Sequence, residues 1–506
     1  RGLQSYGVFA TAKHFPGHGD TSTDSHHTLP TVDFSRERID EVELYPYREL
    51  IKNGLSSVMV AHLNVPSIES RENYPSSLSE KVVTDILKNQ LKFEGLIFTD
   101  ALNMKGASNF KQPGDIDLAA FLAGNDVLLF AENVPTAIEK FKQAFKDKLF
   151  TEERLAHSVK KILKYKYKAG LNNYCPIEFE NLYTDLNKKE YKALNLEMYE
   201  NAITVLKNEE EIIPIKNLDK EKIAFVKIGD GDGTFFIEKL KEYAEIDVIT
   251  TKNLDSLLVK IKDYSKVIIG YHKPEGIWKK NEMTFNEINW IDKISKHNKT
   301  IVTFFTKPYS LLRIPTFENT KGLIEAYQNN EFSQIVAAEI IFGAKDAKGV
   351  LPVSLKKNFS ANDGIPTKNV QRLGFAFPEQ VNMNSEVLAK IDAIANYAIK
   401  SKATPGMQIL VARRGQVVYK KSFGYHTYDT IQKVKNSDLY DLASLTKVLS
   451  TLPNIMQDYE KGKINFKTTL SELIPSYKNS NKADINLLDM LTHQAKLPAW
   501  TPFYAK

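Results

Sequence analysis

"SEKVVTDILKNQLKFEGLIFTDAL", Ser79 to Leu102, sets a helical stripe directly before an unbroken apolar run. Val82, Val83, Ile86, Leu87 and Leu91 recur at helical spacing, so one face of its first half is apolar. "EGLIFTDAL", Glu94 to Leu102, shows no alternation, which is how a strand covered on both faces reads. Similar apolar runs lie on either side: "YGVFATA" (Tyr6–Ala12), "SSVMVAHL" (Ser56–Leu63) and "GNDVLLFA" (Gly124–Ala131). Strands alternating with helices imply an α/β protein with a parallel sheet. The run supplies four strands where a closed (β/α)8 barrel takes eight. Region 1–170 is therefore expected to be the C-terminal half of such a barrel, with the other half upstream.

"GLNNYCPIEFENLYTDLNKKE", Gly170 to Glu190, lacks periodicity and reads as a linker. Region 190–374 alternates again, with strands expected at "KIAFVKIG", "IDVITT", "KVIIGYH", "TIVTFFT" and "GLIEAYQ", and a helix at "SQIVAAEIIFG". That composition suits an open sheet with helices on both faces, an α/β/α sandwich. "NVQRLGFAFPEQVNMN", Asn369 to Asn384, reads as a second linker. Region 385–506 opens with the helix "EVLAKIDAIANYAIKSK" and a hairpin in "MQILVARRGQVVYKKSFGY". No internal repeat or low-complexity tract is visible. The first residues read as the interior of a domain and the last region has no visible end, so the chain is expected to be cut at both ends.

Bulk composition fits this division. At 506 residues the chain is too long for one core, and 42% hydrophobic with 26% charged residues is ordinary for a folded chain. Lys plus Arg (68) exceeds Asp plus Glu (62) by six, spread along the chain, which gives no footprint for nucleic acid. One cysteine, Cys175, excludes an internal disulfide framework and a thiolate metal cluster. No run of about 18 apolar residues spans a membrane.

"AKHFPGHGDTSTDSHHTLP", Ala12 to Pro30, holds four of the ten histidines. His14 and His18 are separated by Phe15, Pro16 and Gly17, which forbids the single helix on which spaced histidines share a metal. No Glu follows His14, so a helical zinc-protease motif is excluded. The alternative is a solvated polar loop. Against it, the stretch follows the carboxyl end of an expected barrel strand, the face where active sites assemble. Asp24 and His26 lie two apart, so the carboxylate can accept the imidazole N–H and raise its basicity. Asp100 ends the strand "GLIFTD" and should face the same opening, although a lone Asp there also serves as a helix cap. A carboxylate facing a proton donor across a sugar-sized gap is the layout of a retaining glycosidase. Asp100 would attack the anomeric carbon while His26 protonates the leaving oxygen. No metal and no cofactor are expected.

"KHFPGHGDTSTDSH" with "FTDALNMKGA" resembles the β-N-acetylglucosaminidases of glycoside hydrolase family 3, the NagZ type. The resemblance implies Asp24 and His26 as the acid/base element, Asp100 as the nucleophile, and Lys13 and His14 as sugar contacts. It also implies further sugar contacts upstream, so this stretch alone is expected to be inactive. "NAITVLKN", "LIEAYQNNEFSQIVAAEIIFGAKDAKGVLPVSL" and "RLGFAF" resemble the sandwich domain that follows the barrel in two-domain members. Within it, Asp230 and Asp232 of "GDGDG" read as turn residues.

"DLASLTKVLST" carries Ser444-Leu445-Thr446-Lys447, an S-x-x-K that puts hydroxyl and amine on one face of a helix. A lysine could then deprotonate the serine for acyl transfer. With "GMQILVARRGQVVYKKSFGY" before it and "INLLDMLTHQAKLPAW" after, region 385–506 resembles the start of the α+β serine β-lactamases and penicillin-binding-protein-like hydrolases. Tyr477-Lys478-Asn479 and Lys467-Thr468-Thr469 imitate that family's other motifs in the wrong places and read as coincidences. Acylation is accordingly expected to be feeble.

The combined expectation is a retaining β-N-acetylglucosaminidase fused to a serine hydrolase. The resemblance implies N-acetylglucosamine-containing glycans or muropeptides as partners and the cell envelope as the location. Two alternatives stand beside it. A histidine acid/base also suits a β-N-acetylglucosaminide phosphorylase, because an anion is repelled less by imidazole than by carboxylate. The other is a non-catalytic peptidoglycan-binding fusion.

Overall fold

A computed structural model describes residues 2–276, 282–356, 358–502 and 504. Arg1 and Lys506, the outer bounds of the first and last expected regions, lie outside the described residues. The chain is α/β and divides into two compact units, Arg1–Phe179 and Glu180–Lys506.

In the first unit, β1 (Thr11–Phe15), β2 (Ser57–Val60) and β3 (Leu96–Thr99) form a parallel sheet in that order. Val58, Val60 and Ile97 are fully buried, and Val82, Val83, Ile86 and Leu87 of the helix Lys81–Gln90 join the same core. Burying each such side chain stabilises by about 1.5–3 kcal/mol. The helical stripe expected from Ser79 to Lys92 is therefore the buried face. Two strand assignments need correction. The first strand begins at Thr11, because Gly7 turns the chain at positive φ inside "YGVFATA". "GNDVLLFA" forms no strand; it contributes one isolated bridge, Val127 to Phe98. Backbone bonds from Val127 N to Ile97 O and from Thr99 N to Val127 O, each 3.0 Å, set it beside β3, and its buried Asp126 accepts from Ile97 N, Ser158 Oγ and Lys161 Nζ.

The second unit holds a six-stranded sheet ordered β4-β9-β8-β7-β5-β6. Its strands are β4 (Thr204–Asn208), β5 (Ile223–Ile228), β6 (Ile246–Val248), β7 (Lys266–His272), β8 (Thr300–Phe305) and β9 (Gly322–Glu325). All pairs are parallel except β4 with β9. Separate apolar clusters cover its two faces, which accounts for the unbroken apolar strand sequences. Asp232 Oδ1 accepts from Thr234 N at 3.1 Å in the turn before the helix Thr234–Tyr243, and Asp230 pairs with Lys273 at 3.1 Å.

The "NVQRLGFAFPEQVNMN" segment is more than a linker. Its β10 (Gly374–Phe375) pairs in parallel with β12 (Gln416–Gly424), which forms an antiparallel hairpin with β11 (Gly406–Arg413). The same segment is tied back to residues packed around the six-stranded sheet. Arg372 Nη1 donates to Ile215 O and Phe342 O, each at 2.6 Å, and Phe375 N donates to Glu339 Oε1 at 2.8 Å. These bonds run to backbone groups and one buried carboxyl, so no charge pattern along the sequence announces them.

Burial pushes the Glu339 carboxyl up to about 7. Its folded value thus lies above the unfolded one, so its contribution to stability is full below about pH 4.5 and is lost as pH rises toward 7. Glu339→Gln keeps the acceptor for Phe375 and removes the charge. Its stability relative to the unsubstituted chain should rise by on the order of 2 kcal/mol between pH 5 and pH 8, read from urea unfolding at both values. A difference independent of pH would contradict the assignment.

Candidate active site

Parallel pairing carries the strand ends of the first unit to one edge. Ala61 N donates to Phe15 O and Asp100 N to Val60 O, each at 2.8 Å, so the chain leaves β1, β2 and β3 side by side. Three titratable side chains sit there: His14 in β1, His62 just past β2 and Asp100 just past β3. Asp100 is mostly enclosed, with 14% of its side chain exposed. Its Oδ1 accepts from Ala101 N at 2.9 Å, and its Oδ2 lies 3.7 Å from His14 Nε2. Burial lowers the His14 pKa, the Asp100 charge opposes that, and Lys13, His18 and His26 push it further down. One imidazole thus lies within electrostatic reach of a carboxylate, a lysine and two further histidines.

The histidine loop is built locally. Asp24 Oδ1 accepts from both His26 N at 2.9 Å and His26 Nδ1 at 2.7 Å. These bonds, the backbone one first, hold the Asp24 carboxyl below its ordinary value. With Nδ1 engaged, His26 Nε2 has no hydrogen-bond partner among the described residues. Both side chains are open to solvent. His18 anchors the loop base, with Nδ1 at 2.6 Å from Thr21 Oγ1 and Nε2 at 3.2 Å from Ser25 Oγ. Asn64 clamps the far end through Val32 N to Asn64 O and Asn64 N to Pro30 O, each 2.9 Å. Lys13, His14, His18, Asp20, Asp24 and Tyr47 line a cleft of about 950 Å³.

His62 belongs to this edge although the sequence does not single it out. It is the penultimate residue of "SSVMVAHL", where its neighbours read as core, and its only signal is a histidine at the carboxyl end of a buried strand. Fully buried, its Nε2 lies 3.0 Å from Ala101 O and its Nδ1 2.7 Å from Ser77 Oγ. Burial lowers its pKa, against the pull of the Ala101 carbonyl and of Asp100. Gly106, the glycine of "FTDALNMKGA", also acquires a role. A Cβ there would sit 2.9 Å from Thr28 O, 3.1 Å from Ser25 O and 3.2 Å from His62 Cβ. The absent side chain lets the histidine loop approach the turn after β3. Among the described residues, no group of three or more His, Cys, Asp or Glu is placed to hold a metal ion.

The second unit carries its own pair. Lys447 Nζ donates to Ser444 Oγ at 2.9 Å, with both residues exposed. Ser444 lies in the short turn Ala443–Leu445, just before the helix that begins at Lys447, so the pair straddles a helix start. Thr469 caps the helix Leu470–Leu473 together with Glu472, which is a structural use of that stretch.

The first unit thus carries an Asp/His constellation at a parallel sheet's carboxyl edge, and the second a serine–lysine pair. Residues 1–165 match the glycosyl hydrolase family 3 N-terminal domain and residues 391–506 match the beta-lactamase domain. Beta-hexosaminidase A of Pseudoalteromonas piscicida is 25% identical over 408 residues, 76% of this chain and 63% of that protein. A beta-hexosaminidase of Nitrosospira multiformis is 38% identical over 138 residues, 27% of this chain and 38% of its own length. The chain thus spans less than two thirds of these relatives. Among solved structures, a glycoside hydrolase family 3 beta-N-acetylglucosaminidase from Paenibacillus sp. is similar with TM-score 0.57 and 27% identity. That match covers 70% of this chain and 69% of that one. A beta-glucoside phosphorylase shares the fold at TM-score 0.60 and 24% identity, over 70% of this chain and 68% of its own. No helix among the described residues is long and apolar enough to cross a membrane.

Gly106→Ala should destabilise the chain by about 1–3 kcal/mol, the usual cost of overpacking. Gly19→Ala, where a Cβ meets nothing within 4 Å, should change stability little. Chemical unfolding of both variants checks the contrast, and equal effects would refute the tight contact.

Proposed function

We propose that the first unit is the catalytic part of a retaining β-N-acetylglucosaminidase acting on terminal β-linked N-acetylglucosamine, with peptidoglycan fragments as its substrate class. Asp100 Oδ2 attacks the anomeric carbon while His26 Nε2–H protonates the departing glycosidic oxygen, leaving a glycosyl ester. His26, now neutral, takes a proton from water as that water attacks the same carbon and releases Asp100. Asp24 holds the imidazole through Nδ1, and Lys13 and His14 contact the sugar. The observation that carries this reading is the 2.7 Å Asp24–His26 bond, which leaves Nε2 open on a loop at the Asp100 edge of the sheet. The relatives named beta-hexosaminidase support it.

The proposal includes a division into three parts. Residues 1–170 are the C-terminal half of a (β/α)8 barrel, 190–374 an α/β/α sandwich, and 385–506 the start of a β-lactamase-like domain. In the last, Ser444 is the nucleophile and Lys447 its base. The 2.9 Å contact between them supports that assignment.

The test is hydrolysis of a chromogenic N-acetyl-β-glucosaminide by the protein carrying this chain. Asp100→Asn should lower turnover by at least about 10³-fold, and His26→Ala by about 10²–10⁴-fold, most with a poor leaving group. Turnover should not depend on phosphate; a strict phosphate requirement, or full activity in Asp100→Asn, would overturn the reading. For the second centre, covalent labelling by a fluorophosphonate should map to Ser444 and fall at least about tenfold in Lys447→Ala. Labelling that persists in Ser444→Ala would remove that nucleophile.

A further inference from the structure

We propose that His62 is a positioning residue for Asp100, an inference that rests on the glycosidase reading above. The chain of contacts is short and complete. A carbonyl oxygen only accepts hydrogen bonds, so the 3.0 Å contact with Ala101 O requires the proton on His62 Nε2. The neutral ring then accepts at Nδ1, and the Ser77 hydroxyl at 2.7 Å is the donor. Ser77 is itself fully buried, and its carbonyl accepts from Asn125 Nδ2 at 2.8 Å, so the donor has a fixed seat. The tautomer is thereby chosen from the far side of the ring.

Holding Ala101 O orients the residue whose own N–H grips Asp100 Oδ1 at 2.9 Å. The backbone at Asp100 is also held by Val60 O at 2.8 Å. One carboxylate oxygen is therefore pinned. The other, Oδ2, accepts no hydrogen bond among the described residues and lies 3.7 Å from His14 Nε2. Oδ2 is the oxygen left to attack the sugar, and His62 decides where it points. A displacement of about 1 Å in such a group costs on the order of 10²-fold in rate. The Cβ of His62 also backs Gly106, against which Ser25 O and Thr28 O of the histidine loop are packed. One buried side chain thus braces the turn that bears the nucleophile and the loop that bears the acid/base pair.

The replacement that separates positioning from packing is His62→Gln beside His62→Leu. Gln offers an N–H donor at the position of Nε2, whereas Leu fills the space without one. In the chromogenic assay His62→Leu should lower kcat by about 30-fold or more with KM nearly unchanged, and His62→Gln should recover most of the loss. Equal losses in both, or full activity in His62→Leu, would overturn the proposal. Two readouts do not depend on turnover. The ¹⁵N shifts of His62 should report a neutral ring protonated at Nε2, and Ser77→Ala should disturb that state. The Asp100 carboxyl ¹³C resonance should move in His62→Leu and return toward its original position in His62→Gln. A ring protonated at Nδ1, or an Asp100 resonance indifferent to both replacements, refutes the assignment whatever the enzyme assay gives. A silent unsubstituted protein with the expected ring and carboxyl signals would count against the glycosidase reading alone.

Discussion

The constraint on which the first unit depends is the parallel register of β1, β2 and β3. Val60 lies opposite both Phe15 and Thr99, so the chain crosses the same sheet edge three times. Parallel strands send every carboxyl end to one side. Any polar residue placed just past those ends meets the others, however far apart they are in sequence. His14, His62 and Asp100 gather for that reason, in a setting where burial weakens imidazole basicity and the Asp100 charge partly restores it.

In the second unit, the analogous constraint is a strand shared between parts. Gly374 and Phe375 complete a sheet with the hairpin, while Arg372 and Glu339 fasten the same segment to the six-stranded region. A backbone hydrogen-bonded on both sides cannot swing as a free linker would. The serine–lysine pair therefore sits in a unit whose framework continues into the six-stranded region.

Legibility in the sequence follows contact range. The stripe Val82, Val83, Ile86 and Leu87 is readable because a helix buries one face by spacing alone. Asp24 with His26, and Ser444 with Lys447, are readable because two or three residues of separation suffice for a side-chain contact. "GNDVLLFA" is legible only in part: it lies beside β3 as its composition suggests, but the pairing amounts to a single bridge, and Asp126 is held by Ser158 and Lys161, which no local pattern announces. "RLGFAF" passes for part of a linker because its partners, Ile215, Phe342 and Gln416, are distant and leave no local mark.

The sequence by itself determined the alternation of elements, the faces they bury and the two short-range pairs, since each depends on periodicity or on residues within a turn of one another. Only the tertiary structure decided that His62 reads onto Asp100 through Ala101, that Gly106 must lack a side chain, and that β10 belongs to the hairpin's sheet. These are long-range facts: the His62–Ala101 contact closes a separation of 39 residues. Strand pairing, rather than any pattern along the chain, brings such groups within hydrogen-bonding distance.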